Sequence, residues 1–412
     1  MTDRPRPSSL VRWLRRHSLT AVAALGGAVG VAYAAHHATP PPRHDTSIQT
    51  IFSTINPGKT ADLPRDKAVD TVQIALLLDT SSSMDGLINQ ARSHLWNIVE
   101  QMGQMTRVVD GKLRGVKVEL ALYEYGNSTI SPADGYIRQI LPLTGDLDKV
   151  SEALFRLSTD GGDEYPGEAI TVAARDLAWS NEPGALKFVF VAGNETFDQG
   201  PISAATAMKA AAARDIHVQL VFCGNQDASW DSAAKLASSD LTTIDQDAVA
   251  QQIAAPQDAE ILRLGQQLNG TYLAYGVEGA AAAARQAAAD ASSAHLGAKV
   301  AIERSQLKAK GSYNNAGWDV IDATNGDGDF LGKADDAELP PELRGKSLEE
   351  KKQIVAAKAA ERAAIQAQIG KLEAERAGYL AKQQPQTGEG KMLDTQLLDS
   401  TRKVAVEKGW KL

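Results

Sequence analysis

Asp79, Ser81 and Ser83 stand on alternate positions at the end of an apolar run, within LLLDTSSSM. One carboxylate and two hydroxyls on a single turn are hard oxygen donors of low charge, a set that suits Mg²⁺ with water completing its shell. The same residue types cap helices, and Ser83 just before a helical pattern would serve that purpose alone. Capping needs one of the three residues; metal binding uses all three. Other chemistry is sparse. Cys223, the single cysteine, lies in IHVQLVFC with no basic neighbour in sequence, and reads as a small buried thiol rather than an activated one. His36 and His37 lie in a stretch rich in Pro, Thr and Ser and read as part of a linker. The chain shows no nucleophile elbow, no glycine-rich phosphate loop and no paired metal-binding histidines, so no enzymatic activity is expected.

The elements that must position Asp79 follow from apolar patterning. Val72 to Leu78 (VQIALLL) is apolar on both faces, as in a strand buried within a parallel sheet. Leu87, Ile88, Ala91, Leu95, Ile98, Val99 and Met102 recur at helical spacing just after it. Further strands are predicted at 116–125, 188–191, 216–223 and 271–275, with an edge hairpin partner at 135–141. Helices are predicted at 146–157, 167–179, 201–213 and 259–268. This alternation implies an α/β fold with a doubly wound, mostly parallel sheet, and ligands in such sheets bind beyond the carboxyl ends of the strands.

At this point the chain resembles a von Willebrand factor type A (vWA) domain over roughly residues 70–276. The resemblance rests on LLLDTSSSM, GGDEYPGEAI and FVFVAGN in their strand–helix order. It implies a Rossmann-like fold and a metal-ion-dependent adhesion site (MIDAS) opening with D-x-S-x-S, here Asp79, Ser81 and Ser83. It also shows two departures. Glu164 falls where the family's second loop carries threonine, with Asp163 beside it, and Ala192 falls where the third loop carries aspartate. The expectation is a relocated carboxylate: Glu164 or Asp163 supplies charge, and Asn194 or Glu195 supplies a neutral or acidic neighbour. Two carboxylates suffice for a divalent ion, with Mg²⁺ favoured and Mn²⁺ or Ca²⁺ the looser-shelled alternatives. In the family, a partner's carboxylate completes the coordination of the bound ion.

Composition limits the remaining possibilities. The 412 residues are 43% apolar and 23% charged, with a formal charge of −8 that disfavours general nucleic-acid binding. One cysteine excludes a disulfide scaffold. Arg4, Arg6, Arg12, Arg15 and Arg16 precede an uncharged run over 18–35 ending in Ala32-Tyr33-Ala34, the pattern of a secretory signal peptide. At about 17 apolar residues, an uncleaved membrane anchor is the alternative. Cleavage after residue 34 removes five Arg and one Asp, taking −8 to −12. The remainder is then exported, periplasmic or anchored with the vWA domain outside.

The C-terminal third reads as helical. GAAAAARQAAADASSAH opens a close-packing helix, and Trp318, Val320 and Ile321 would dock their segment on the main domain. Asn325-Gly326-Asp327-Gly328-Asp329 has the look of a calcium loop, but both end-ligand positions, Ala323 and Ala334, lack oxygen side chains, so it reads as an acidic turn. Ser347 to Glu350 is a capping box opening a long amphipathic helix whose seam is Ile354, Ile365, Ile369, Leu372 and Tyr379. That seam packs within the chain or pairs with a second copy. The organisation expected is 1–35 export segment, 36–69 linker, 70–276 vWA domain, 277–345 helix and docking segment, 346–384 long helix and 385–412 linker and closing helix. The order of blocks also resembles a group of bacterial exported vWA proteins of unassigned function. The leading functional expectation is a cell-envelope module binding a protein partner at the loop face near Asp79. The alternatives are a structural protein assembling through 346–384 with a metal-free site, and a non-catalytic subunit of an enzyme complex.

Overall fold

A computed structural model describes residues 63–246, 253–383 and 393–411. The export segment, most of the linker with His36 and His37, and the 384–390 linker lie outside the described residues. Gly58–Leu412 form one unit.

The predicted first strand is β1 (Arg65–Asp79), and its two apolar faces serve two cores. Val72, Ile74, Leu76 and Leu78 face one, Ala75 and Leu77 the other. β2 (Thr106–Val109) and β3 (Lys112–Tyr125) follow, then β4 (Ile137–Thr144), β5 (Leu186–Gly193), β6 (His217–Cys223), β7 (Thr242–Ile244) and β8 (Trp410–Lys411). The sheet order is β7-β6-β5-β1-β3-β2-β8, with β4 also pairing β3. β1, β3, β5, β6 and β7 pair in parallel, and β2, β4 and β8 are antiparallel. The long β3 accommodates β2 along its first residues and β4 along its last. The chain leaves β1 toward β3 on one side and returns to β5 on the other. Asp79 therefore sits at the switch point, where crossovers diverge and leave a crevice.

One face of the sheet is covered by α1 (Asp85–Gly103), α2 (Leu147–Arg156), and residues of α7 (Gly279–Leu296), α8 (Ala298–Lys308) and α12 (Leu393–Glu407). The other is covered by α3 (Pro166–Asp176), α4 (Ala204–Ala212) and α5 (Ala228–Leu236). The remaining helices are α6 (Asp258–Asn269), α9 (Val320–Gly326), α10 (Phe330–Lys333) and α11 (Leu348–Gln383). The predicted capping box opens α11: Glu350 accepts from the Ser347 backbone N–H at 2.8 Å, and Ser347 Oγ accepts from the Glu350 N–H at 3.3 Å. Ile365 and Ile369 pack on Leu264 and Leu268 of α6, so the seam of the long helix is occupied by the chain itself.

Three local expectations change. Residues 271–275 are not a strand of the sheet; Ala274 makes an isolated bridge to Asp319, while Tyr272 lies beside Trp318 and under the Arg362 guanidinium. The helix expected from Pro201 begins at Ala204, because Ser203 caps it by accepting from the Thr206 N–H. Trp318, Val320 and Ile321 are buried, but Val320 and Ile321 belong to a small separate core with Leu273, Leu331, Leu339, Leu343 and Val355 of α11.

Where α1, α8 and α11 meet, Glu100 faces Glu373, and Lys310 Nζ lies 2.5 Å from Glu373 and 3.6 Å from Glu100. Burial, followed by the neighbouring Glu373, pushes the Glu100 carboxyl up to about 7 from 4.5. A carboxyl whose folded pKa is raised contributes stability below its unfolded value and loses it as pH rises through the folded one. Glu100→Gln is therefore expected to stabilise the fold by on the order of 2 kcal/mol at pH 8 and by little near pH 4.5, measured by urea unfolding at both pH values. Equal effects at the two would refute this account of Glu100.

Candidate functional site

Asp79 is fully buried at the end of β1, in register with Tyr125 of β3. Its Oδ1 accepts the Ser81 backbone N–H at 2.7 Å, curling the loop so that Ser81 Oγ and Ser83 Oγ lie 3.3 Å apart. Helix α1 begins at Asp85 after Met84, with no side-chain cap, so Ser83 is not the cap of that helix. The loop is held from beneath: Thr80 N–H donates to the Tyr125 carbonyl at 2.9 Å, and the Thr80 carbonyl accepts from Asp160 N–H at 3.0 Å and Asn127 Nδ2 at 3.3 Å. Asn127 also donates to the Ser158 carbonyl at 2.9 Å and so ties three loops together. Sequence reading missed Asn127, since an asparagine after a strand looks like any turn residue.

The structure separates the two second-loop acids. Glu164 turns inward, 6% exposed, with its carboxyl in hydrogen-bonding reach of Asp79. Asp163 is exposed and points away, accepting from the Tyr165 hydroxyl at 3.2 Å. Adjacent residues on extended chain point to opposite sides, so only one of the pair can enter the site. Two glycines make room for the carboxyls. A Cβ on Gly126 would lie 2.8 Å from Glu164 Cγ and 2.9 Å from Asp79 Oδ1. One on Gly193 would lie 2.5 Å from the Tyr125 hydroxyl and 3.3 Å from Asp79 Oδ2.

The third loop follows β5. Asn194 Nδ2 donates to Ser83 Oγ at 2.9 Å. Ala192, where the resemblance expects aspartate, lies in the core beneath α1, and its carbonyl accepts the Tyr125 hydroxyl at 2.9 Å. Glu195 is exposed, and its carbonyl accepts the indole N–H of Trp230 at 2.6 Å. Gln246, also unanticipated, donates from Nε2 to the Ser83 carbonyl at 3.0 Å.

Electrostatically this is a buried acid pair. Burial raises both carboxyls; facing Asp79 adds to the rise at Glu164, which is pushed up to about 9. The pair therefore keeps a proton at neutral pH in the absence of a cation. With both acids ionised, Asp79 Oδ2 and Asn194 Oδ1 are buried without hydrogen-bond partners. The backbone N–H groups of Ser81 and Asn194 partly offset the rise at Asp79. Among the described residues, no three His, Cys, Asp or Glu side chains gather into a metal site. What converges is a mixed oxygen set: Asp79, Glu164, Ser81, Ser83 and Asn194. Unsatisfied anionic and carbonyl oxygens beside two hydroxyls fit a hard divalent cation. Cys223 is buried, its thiol raised by burial and then by Asp79, consistent with an inert core cysteine.

The family comparison agrees with this architecture. Residues 73–255 match the family model of the von Willebrand factor type A domain. No curated protein matches the chain. Among solved structures, the chain is similar to proximal thread matrix protein 1 from the mussel byssus, at 14% identity and a TM-score of 0.32 over 42% of each chain. It thus spans under half the length of that protein, which is also known with its MIDAS motif occupied by zinc. The SpRpn10 VWA domain is 15% identical with a TM-score of 0.32, over 43% of this chain and 88% of that one. A von Willebrand factor type A protein from Catenulispora acidiphila is 16% identical with a TM-score of 0.32, over 43% and 39%. The family match together with the parallel sheet and its D-x-S-x-S loop makes residues 73–255 of this chain a von Willebrand factor type A domain.

Proposed function

We propose that this protein is a non-catalytic, exported module of the cell envelope whose vWA domain binds a protein partner at the loop face, through a variant MIDAS. The reading is carried by one observation: fully buried Asp79 keeps an unpartnered oxygen beside Ser81, Ser83, Glu164 and Asn194. A divalent ion there would be held by Asp79, Glu164 and the two serine hydroxyls, with Asn194 fixing Ser83, and would tie the first two loops together at the face. Mg²⁺ is favoured, and the second carboxylate also suits Mn²⁺ or Ca²⁺. Export rests on the Arg-rich start and the apolar run over 18–35, cleaved or retained as an anchor. Among the described residues no helix is long and apolar enough to cross a membrane.

Calorimetric titration with Mg²⁺, Mn²⁺ and Ca²⁺ tests the site. Wild type is expected to bind at one site, and Asp79→Ala to weaken binding by about a hundredfold or more. Equal binding by both proteins would remove the metal from this reading.

A further inference from the structure

The loops at the carboxyl edge of the sheet are 80–84, 126–136, 157–165, 194–203, 224–227 and 245–246. Together they carry eight acids and no Lys, Arg or His. The whole chain has 51 acids and 43 Lys or Arg, so this edge departs sharply from the average. Asp134, Asp160, Asp163, Glu195 and Asp198 are exposed on it. Among the described residues, Asp160, Asp163, Glu195 and Asp198 form no ion pair with a basic side chain. At the floor of the same face lies Asp79, fully buried, with Oδ2 unpartnered.

A second feature sits beside the site. Tyr136 and Tyr165 are half-buried and meet edge to face, ring centroids 5.7 Å apart. Asp163 accepts the Tyr165 hydroxyl, and the Glu168 carboxylate lies within 3.0 Å of where a Cβ on Gly135 would stand. Two tyrosine rings with carboxylates alongside offer a guanidinium or ammonium group both cation–π and charge contacts.

We propose that the loop face takes a protein partner presenting clustered Lys and Arg, with one such side chain seated at Tyr136, Tyr165 and Asp163. This rests on the loop face being the partner surface and names the partner's chemistry. It departs from what the family resemblance implies, an acidic partner completing the metal shell. The physical reason is local charge. Asp79 and Glu164 together balance the charge of a divalent ion within the site. The ion leaves little positive field outside, while the exposed acids around it remain. An approaching carboxylate meets repulsion on this rim, and an approaching Lys or Arg meets attraction.

The test uses the full protein in Mg²⁺ and two synthetic peptides of one length, alternating Lys or Glu with Gly and Ser. The Lys peptide is expected to bind and to weaken as salt rises. Asp163→Asn with Asp198→Asn should weaken it about fivefold, and Tyr165→Ala should weaken it further. Asp110→Asn with Glu182→Gln, at the opposite edge of the sheet, should leave it unchanged. Equal weakening by the two pairs would overturn the proposal, because the attraction would then belong to overall charge. Tighter binding of the Glu peptide, lost in Asp79→Ala, would overturn it while upholding the loop face as a metal-dependent partner surface. Binding of neither peptide would overturn it too, and the metal titration on Asp79→Ala would then decide the broader reading separately.

Discussion

Removing residues 384–412 is expected to unfold the α/β domain, although the family match ends at residue 255. Helix α12 lies on the same face of the sheet as α1, and Leu393 and Leu397 close over Leu76, Leu78, Leu95 and Phe190. Val404, Ala405 and Trp410 continue the same core. Polar contacts fix the helix in register. The Leu393 N–H donates to Gln90 Oε1 at 3.2 Å, and Asp394 meets Asn97 Nδ2 at 2.8 Å and His94 Nδ1 at 3.0 Å. β8 then extends the sheet on β2, with Trp410 under the guanidinium of Arg107. Losing Leu393, Leu397, Val404 and Trp410 forfeits on the order of 8 kcal/mol of apolar burial. That is comparable with the whole stability of a typical domain. Circular dichroism melting of the truncated protein should show no cooperative transition, and Leu397→Ala in the intact chain should cost about 2–4 kcal/mol. A truncated protein melting within a few degrees of wild type would refute the role of α12.

The second large effect is expected at Arg304. Its side chain is buried between Trp96 and Tyr313, 4.4 and 4.9 Å from the ring centroids. Nη2 lies 2.7 Å from Asp148 and Nε 2.8 Å from Asp290, while Lys308 Nζ pairs with Asp290 at 2.6 Å. Tyr313 donates to Asp148 at 2.7 Å. The cluster links α1 and α2 of the vWA domain to α7, α8 and the segment after them. Arg304→Ala strands the Asp148 carboxylate, leaves Asp290 to Lys308 alone and opens a void, at a cost of about 3–5 kcal/mol in denaturant unfolding. Arg304→Lys should recover little of this, because an ammonium reaches one carboxylate where the planar guanidinium spans both. A loss under about 1 kcal/mol for Arg304→Ala would mean that Lys308 alone neutralises the cluster.

Both effects have one cause: the helical third shares its core with the α/β part. The sequence shows helices there, because alanine-rich runs, the Ser347–Glu350 box and the spacing of Ile365 and Ile369 are local signals. It does not show where they pack. Residues 393–411 are far along the chain from the sheet they complete, and only the closing of that long excursion brings Leu397 to Leu76. The apolar run over 271–275 misleads for the same reason. Its composition is that of a strand, but its partners are Trp318, Asp319 and Arg362.

What the residues alone determine is the part governed by short-range physics. An uninterrupted apolar run ending in Asp79, with Ser81 and Ser83 after it, dictates a buried parallel strand and an oxygen-lined turn at its carboxyl end. That is enough for the fold class and for three of the five converging side chains. Tertiary structure alone decides between Asp163 and Glu164, because the direction of each along an extended loop is set by what that loop packs against. It likewise places Asn194 against Ser83 and buries Ala192 beneath α1. The charge of the rim is a property of six loops far apart in sequence. Five of them carry one to three acids each, and it takes the sheet to set them on one edge.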